Sequence, residues 1–442
     1  MIGRLYPQVS AHTDAVRWVV GLSGGVDSVV LLHLLHTLPQ HFPDISFPKL
    51  CAIHVNHQLQ PLAGDWQHFC ESLCEPYNIP CESVCVTVDN GASLEANARE
   101  ARYRAFEAHL TGGDVLMLAH HQGDQAETFL YRLMRGAGLR GLASIQQHRT
   151  IGSGCLLRPL LGSSKQAILD WAQMHQLSWV DDPSNGDLVF DRNYLRHSVL
   201  PTIRQRWPAA DSQIERAISH VSEAHSLLDV MADEDLSLLD QGREYGEPWL
   251  LLPANDVDWM RRKNILRRYL DQFDVVLTDT QWRAFKNDLV DAANDAVPEF
   301  VVGQCCLRRY RGRLYVTSAS QNADPFLVWG DSINWNGQGE LDIPGFGTLL
   351  LRPQPKHPLD ISLRRREGGL SLRTDAPNAR RKPLKRIFQE AFVPPWQRDR
   401  LPLIYVDGEL VAVGDRVRLQ GAAQKLGSAE FEIQPSPNYS PT

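Results

Sequence analysis

The residues best suited to chemistry form a short turn, Ser23-Gly24-Gly25-Val26-Asp27-Ser28. The apolar run at 18–22 before it predicts a buried strand, and apolar residues at helical spacing follow from Val29. Adjacent glycines let a ligand approach the backbone closely, and the two serines add hydroxyl donors. The new helix points its unpaired N–H groups at the same place. This strand–turn–helix therefore predicts a phosphate-binding loop.

The same turn has a plainer interpretation, as an ordinary connection between a strand and a helix. Asp27 fits either interpretation. A carboxylate cannot favour phosphate directly, so its chemical task would be to hold a Mg²⁺ ion that bridges a polyphosphate. Its structural task would be to cap the helix beside Ser28. The spacings GxxxxGK[ST] and GxGxxG are both missing from this turn, which excludes a Walker loop and a dinucleotide loop here.

A second polar segment, AHHQGDQAET at 119–128, closes a predicted strand and opens a predicted helix. Asp124 and Glu127 are three residues apart, so they share one face of that helix. Two carboxylates in this position suit a metal ion or an ammonium group. The alternative is a favourable interaction of both acids with the helix dipole, and spacing alone slightly favours it.

Charged side chains also share a face of the predicted helix 93–110. They are Glu95, Arg99 and Arg102. An exposed charge ladder is the structural interpretation of this face. The functional interpretation is a polar wall beside a nucleotide and an amino acid.

Three further arginines stand in or beside turns. Arg135 precedes the glycine-rich segment 136–141 and could reach a phosphate. Arg192 and Arg196 lie in the segment 191–196, which follows the acidic turn 181–185. These segments are either solvent-facing turns or a rim that closes the site and faces RNA.

Such residues need a scaffold in which strand ends meet. Residues 15–200 alternate strand-like segments (50–55, 83–88, 115–119) with helix-like segments (65–75, 93–110, 124–134, 165–175). This alternation predicts an α/β fold with a doubly wound parallel sheet, which binds ligands at the carboxyl ends of its strands. Three strands run into polar motifs, namely SGGVDS, His54-Val55-Asn56-His57 and the segment 120–124.

The 442 residues are enough for two or three domains. We expect a catalytic domain over 1–215 and a small, mostly helical domain over 216–325, the latter inferred from a helical stretch at 210–290. An α+β domain is expected over 326–434, and a disordered tail over 435–442.

Charge is unevenly distributed along the chain. The formal net charge of −7 argues weakly against a nucleic-acid partner when taken alone. Residues 364–386, however, contain nine Lys/Arg and only two acidic residues. A basic segment on an acidic enzyme is typical of an RNA or DNA contact, although a solvated face explains the charge equally well.

Composition indicates a soluble cytoplasmic enzyme. No run of 18 apolar residues is present, and the first residues lack the apolar core of a signal peptide. The eight cysteines include no CxxC pair, which favours reduced, mostly buried thiols. Zinc held by Cys70, Cys74 and neighbouring residues is a minor alternative.

The motifs together carry a family resemblance. SGGVDS resembles the pyrophosphate loop of the N-type ATP pyrophosphatases, the PP-loop superfamily. SGGVDS, HHQGDQAET, RGAGLRGL, DDPSN and FDRNYLR occur in an order similar to that of the bacterial tRNA(Ile)-lysidine synthetase family. The segments 363–369, 381–386 and 393–403 resemble the family's C-terminal tRNA-binding domain. The pattern departs at Gly123, where the family usually has a first aspartate before Asp124.

The resemblance implies a ligase that uses ATP and Mg²⁺. ATP would adenylate the C2 oxygen of the wobble cytidine in an isoleucine tRNA with the anticodon CAU. Free lysine would then displace AMP to give lysidine, which switches the tRNA from methionine to isoleucine. A homodimer is left open, and the resemblance does not identify the base that deprotonates lysine.

The resemblance also implies roles for particular residues. Catalysis would involve Asp27, Asp124 and Glu127, and Asp27 would bind Mg²⁺. ATP would contact Ser23, Gly24, Gly25, Val26, Asp27 and Ser28. The substrates would contact Glu95, Arg99, Arg102, His120, Asp124, Glu127, Arg135, Arg192 and Arg196. tRNA would contact Arg364, Arg365, Arg380, Arg381, Lys382, Lys385 and Arg386.

Two rival functions remain. A tRNA thiolase of the same superfamily would need a cysteine pair to carry sulfur or a cluster, and the missing CxxC counts against it. The other rival is a non-catalytic RNA-binding protein with a relic nucleotide domain, and the intact SGGVDS and DQAET motifs count against it.

Overall fold

A computed structural model describes residues 1–88, 94–182, 186–244, 246–293, 295–319, 330, 332–343, 347–366 and 369–434. The chain forms two compact units, Met1–Leu227 and Leu228–Thr442. The expected boundaries at 215/216 and 325/326 stay predictions, and the expected tail at 435–442 lies outside the described residues. None of the helices within the described part has the length and apolar character needed to cross a membrane.

The first unit contains a six-stranded sheet with helices. The strands are β1 (Arg17–Gly21), β2 (Lys49–Asn56), β3 (Cys81–Cys85), β4 (Val115–Met117), β5 (His148–Ile151) and β6 (Gly154–Leu157). The helices up to residue 237 are α1 (Ile2–Val9), α2 (Val26–His41), α3 (Ala63–Cys74), α4 (Leu94–His109), α5 (Gln122–Met134), α6 (Leu139–Leu142), α7 (Lys165–Met174), α8 (Asp191–Tyr194), α9 (Leu200–Arg206) and α10 (Ala210–Ser237). A π-helical turn, Leu195–Val199, joins α8 to α9.

The strand order of this sheet is β3-β2-β1-β4-β6-β5. All neighbouring pairs are parallel except β5–β6, which is an antiparallel hairpin at the edge. The predicted doubly wound parallel sheet is therefore confirmed. Chain order reverses between β1 and β4, and ligands bind beyond the carboxyl ends of strands at such a switch point.

Strand β1 lies at the centre of this sheet and is apolar on both faces. Trp18, Val19 and Val20 are each at most 1% exposed. A central parallel strand is covered by helices on both sides, which explains a continuous apolar run in place of alternation. Because β1 is fixed by this burial, the turn that follows it is held in a constant position.

The second unit is built mainly of antiparallel sheets. Its strands are β7 (Gln241–Glu244), β8 (Glu247–Leu251), β9 (Glu299–Val302), β10 (Cys305–Tyr310), β11 (Arg313–Ser318), β12 (Ser332–Trp335), β13 (Leu341–Ile343), β14 (Gly347–Arg352), β15 (Ile361–Arg364), β16 (Ser371–Leu372), β17 (Lys382–Pro383), β18 (Leu403–Val406), β19 (Glu409–Val413), β20 (Val417–Arg418) and β21 (Glu430–Gln434). Its further helices are α11 (Trp259–Asp271), α12 (Asp279–Ala284), α13 (Leu384–Glu390) and α14 (Ala422–Leu426).

The expectation of helix throughout 210–290 is wrong at 241–251, where β7 and β8 form a hairpin. β8 also pairs with β11, so that Leu250 lies opposite Leu314 and both are fully buried. This pairing joins residues more than 60 positions apart in the sequence. Local charge alternation could not reveal it, because the partner strand is distant in sequence.

A buried carboxylate links the β7–β8 hairpin to the C-terminal region of the second unit. Glu247, 1% exposed, accepts hydrogen bonds from Trp396 Nε1 at 2.9 Å and Gln397 Nε2 at 2.6 Å. Its other oxygen accepts from Arg400 Nη1 at 3.1 Å. Trp396 also packs edge-on against Tyr315 of β11. A buried charge is tolerated only when paired in this way.

Removing this carboxylate should destabilise the second unit. Glu247→Ala leaves the Arg400 guanidinium buried without its counter-charge, which we expect to lower the free energy of unfolding by about 3–5 kcal/mol. Urea denaturation checks this. Glu430→Ala serves as the control, since its side chain is 78% exposed and its loss should cost less than about 1 kcal/mol. Equal effects of the two substitutions would contradict the prediction.

Candidate active site

The turn after β1 is shaped by Gly24, whose φ of +83° lies in the left-handed region. A Cβ at this position would come within 2.7 Å of Val180 Cγ2 and 3.3 Å of Cys70 Sγ. Gly24 O also accepts a hydrogen bond from Val180 N at 3.0 Å. Both the backbone conformation and the close approach therefore require glycine here.

Two hydroxyl groups hold the turn in shape. Ser28 Oγ donates to Gly25 O at 2.9 Å and accepts from Ser23 N at 3.2 Å. Ser23 Oγ lies 3.2 Å from Ser28 Oγ. Gly25 is the N-cap of α2, and Val26 is the first helical residue. The amides at the start of α2 and the serine hydroxyls are thus grouped in a turn whose geometry suits an anion.

Asp27, on the first turn of α2, already has a cation beside it. Lys165 Nζ donates to its two carboxylate oxygens at 2.7 and 2.8 Å. Nε2 of His121 lies 3.8 Å from Asp27 Oδ1. Lys165 opens α7, for which Ser164 is the N-cap. No sequence motif identified Lys165 as a residue of this site. Its position directly after the N-cap Ser164 indicates only that it begins a helix.

The second motif begins α5 with a reciprocal cap. His121 Nδ1 accepts from Gly123 N at 2.9 Å, and Asp124 Oδ2 accepts from His121 N at 2.9 Å. A Cβ on Gly123 would lie 2.7 Å from His121 Cε1, so any side chain at this position requires the imidazole to move. Asp124 therefore has the structural task that its spacing suggested, and one oxygen remains for another partner.

That second partner is Arg196, in the π-helical turn. Its guanidinium contacts Asp124 Oδ1 at 3.3 Å and binds Glu127 at 2.6 and 2.8 Å. Glu127 is buried, 7% exposed. Burial lowers the pKa of Arg196, but Glu127, Asp124 and Asp27 outweigh it and raise that pKa above its ordinary value. The acids of the site therefore share an internal cation.

A second group of charged residues, which we call the basic wall, consists of Arg99, Arg102 and Arg158 around His120. Arg158, 3% exposed, donates to His120 Nδ1 at 3.3 Å and to Tyr103 OH at 3.1 Å. The guanidinium of Arg99 lies 5.0 Å from the centre of the Tyr103 ring. Burial, followed by the charges of Arg158 and Arg102, holds the pKa of His120 well below its ordinary value. His120 is therefore neutral at pH 7.

A cavity of about 420 Å³ opens between these groups at the carboxyl ends of β1, β2 and β4. Its size lies within the range of small-molecule sites. Among the predicted residues, the lining includes Ser23, Asp27, Ser28, Arg102, His120 and Asp124. The lining also includes residues without a predicted role, namely His54, Asn56, His57, Trp66 and Asp182. Three of these residues, His54, Asn56 and His57, belong to the polar motif that the sequence analysis found at the end of a strand.

Five other predicted substrate contacts whose side chains the structure describes are not among the lining residues. Arg135 donates to Tyr131 OH and lies over the Tyr131 ring, with Arg192 over the same ring at 5.7 Å. Arg99, Glu127 and Arg196 are also absent from the lining. The side chain of Glu95 lies outside the described residues.

The predicted tRNA contacts lie in the second unit. Arg364 is exposed and packs over the Tyr405 ring at 4.4 Å. Lys382 and Arg386 both bind Glu390, at 2.7 and 3.3 Å. The remaining members are exposed, namely Arg365, Arg380, Arg381 and Lys385. Glu390 therefore offsets only part of the positive charge of the predicted tRNA contacts.

Three parts of the chain match models of known protein families. Family models match the chain as a PP-loop domain at 2–203, a TilS substrate binding domain at 260–315 and a TilS substrate C-terminal domain at 361–434. A solved structure of the U34-tRNA thiolase NcsA from Methanococcus maripaludis aligns with a TM-score of 0.42 and 19% identity, over 50% of this chain and 78% of that one.

Closer relatives cover nearly the whole chain. The tRNA(Ile)-lysidine synthase of Coxiella burnetii is 38% identical, over 93% of this chain and 91% of its own length. The tRNA(Ile)-lysidine synthase of Pseudomonas putida is 40% identical, over 91% and 93% respectively. At this identity and coverage, the chain belongs to the tRNA(Ile)-lysidine synthase family.

Proposed function

We propose that the chain is a tRNA(Ile)-lysidine synthase, a ligase that attaches lysine to C2 of the wobble cytidine in the CAU-anticodon isoleucine tRNA. The observation that carries this proposal is the convergence of the phosphate-binding turn, the acids and the basic wall on one cavity at the switch point. The names of the relatives supply the reaction.

In the first half-reaction, the C2 oxygen of cytidine attacks the α-phosphate of ATP and pyrophosphate leaves. The amides at the start of α2 and the Ser23 and Ser28 hydroxyls hold the departing pyrophosphate. Lys165 neutralises Asp27 until the nucleotide arrives, and its ammonium then stands beside the phosphates. Fixed donors of this kind stabilise charge that develops in the transition state.

Mg²⁺ fits this arrangement. Asp27 and Asp124 both approach His121 Nε2, at 3.8 and 3.7 Å, so two carboxylates border one space. Mg²⁺ is commonly held by one or two carboxylates together with substrate phosphates. Within the described ranges no three His, Cys, Asp or Glu gather around a metal position, so phosphate oxygens would complete the ligand set. When bound, the ion would offset the charge of the polyphosphate.

In the second half-reaction, the ε-amine of lysine attacks C2 and AMP leaves. Asp124 and Glu127 supply the negative charge that suits an ammonium group. Because Arg196 occupies both acids in this structure, lysine binding would require the guanidinium to share or release one of them.

The thiolase alternative lacks a suitable sulfur group. Cys70 lies beside Gly24, but burial raises its pKa to about 12, so it stays a protonated thiol. The thiolate is the nucleophile in cysteine chemistry. The described lining residues of the cavity include no cysteine.

We also propose that the protein forms a homodimer and that it acts in the cytoplasm. Leu227, Val230 and Met231 are 66%, 55% and 46% exposed on α10, three and four residues apart. An apolar helical stripe of this kind suits a second copy of the chain.

Purified protein with ATP, lysine and unmodified tRNA tests the function directly. The wild-type protein should release AMP only when lysine is present, and Asp27→Asn should slow pyrophosphate release by about 10²–10⁴-fold because a charge beside the phosphates is lost. Asp170→Asn, an exposed acid on α7, is the control. Lysine-independent turnover by the wild type would refute the proposed function.

The lysine contact can be tested by comparing two Michaelis constants. Glu127→Gln should raise the KM for lysine about ten- to a hundredfold, because the loss of one charge-assisted hydrogen bond weakens binding by about that factor. The KM for ATP should change little. Glu100→Gln removes an exposed acid of α4 as a control. An equal rise in both constants would assign Glu127 to the fold or to magnesium instead.

The basic segment should control tRNA affinity and leave the chemistry unchanged. Neutralising Arg380, Arg381, Lys382, Lys385 and Arg386 should flatten the slope of log affinity against log salt by about two units or more. Because Lys382 and Arg386 are offset by Glu390, the triple variant at 380, 381 and 385 should account for most of this change.

ATP affinity should stay constant in both charge variants. The matched control neutralises Arg352, Lys356 and Lys425, which are basic residues of the same unit outside the segment 364–386. An unchanged salt slope, with ATP binding intact, would mean that the segment 380–386 is only a solvated face.

A further inference from the structure

Four histidines stand at the carboxyl end of the parallel sheet, and three of them have assigned contacts. His54 Nδ1 lies 2.9 Å from Leu22 O, beside the phosphate-binding turn. His120 Nδ1 accepts from Arg158 Nε, and His121 Nδ1 accepts from Gly123 N. These contacts fix the three rings as parts of the scaffold.

His57 differs from these three. Its imidazole lines the cavity directly after β2, and its Nδ1 is shielded from solvent without a hydrogen-bond partner among the residues that the structure describes. Buried polar atoms are nearly always paired in folded proteins. A ring that lines the cavity and lacks the scaffold contact of the other three histidines therefore indicates a group that is completed by a ligand.

The surroundings keep this imidazole in its basic form. Burial, then the charge of Arg102 on α4, then His54 lower the pKa of His57 below its ordinary value. His57 is therefore neutral at pH 7 and able to accept a proton. The other titratable groups that line the cavity are Asp27, Arg102, His54, His120, Asp124 and Asp182.

The second half-reaction needs such a group. Resting on the proposed function, we propose that His57 is the base that deprotonates the substrate lysine. The ε-ammonium gives one proton to the imidazole, and the nitrogen lone pair forms the bond to C2. The C2–O bond breaks, AMP leaves with the electron pair, and its phosphate takes the second proton, which the new C2–N nitrogen loses. The imidazolium then returns its proton to solvent.

The two half-reactions can be measured separately. Pyrophosphate release without lysine reports adenylation, and lysine addition to preformed adenylated tRNA in a single turnover reports the second step. His57→Gln and His57→Asn should slow lysine addition about 10²–10⁴-fold, the usual contribution of a general base. Adenylation should change less than about threefold, because no proton transfer by His57 is needed there. His148→Gln, an exposed histidine, is the control.

The nucleophile supplies an independent readout. S-(2-aminoethyl)cysteine has a less basic amine than lysine, so it depends less on an enzymatic base. Both variants should recover more of the wild-type rate with this analogue than with lysine. A purely structural role for His57 predicts no such difference.

Each outcome is decisive. If the wild type adds no lysine, the proposed function fails before His57 is considered. If the wild type adds lysine and both variants keep its rate, or if both half-reactions fall equally, His57 is not the base. Should neither variant bind ATP, the wild-type pH profile decides: lysine addition must slow as pH falls through the lowered pKa of His57, and a flat profile overturns the proposal.

Discussion

The left-handed turn at Gly24 is the constraint on which the site depends. It lets the fully buried β1 connect directly to α2, and its missing side chain lets Val180 pack within hydrogen-bonding distance of the loop backbone. The segment that includes Asp182 is thereby held beside the phosphate-binding turn. The absence of a Cβ at Gly24 thus positions two segments that line the cavity, the phosphate-binding turn and the segment that includes Asp182.

Charge in the site is balanced before any substrate arrives. Asp27 is paired with Lys165 and Glu127 with Arg196, and burial together with neighbouring arginines lowers the pKa of His57 and His120, which keeps both imidazoles neutral. Each of these counter-ions is a side chain of the protein, so both carboxylates have a cation partner while the site is empty.

The sequence could predict what depends on local pattern. The parallel sheet follows from the alternation of segments, and the phosphate-binding turn follows from its glycines and serines. The Asp27–Lys165 pair could not be predicted, because its members are 138 residues apart. The β7–β8 hairpin was missed for the same reason, since its burial depends on β11. Arg196 was predicted as a substrate contact, and only the fold shows that Glu127 is its partner.

The contact of Glu247 with Trp396, Gln397 and Arg400 limits how the second unit can be divided. A fragment that begins near residue 326 would contain Arg400 without Glu247, and its buried guanidinium would have lost this counter-charge. The 326–434 region is therefore poorly suited to recombination as an independent module, although its basic segment is continuous in sequence. Insertions and fusions in this enzyme should therefore keep residues 228–434 intact, so that β8 and the turn 395–400 stay in the same fragment.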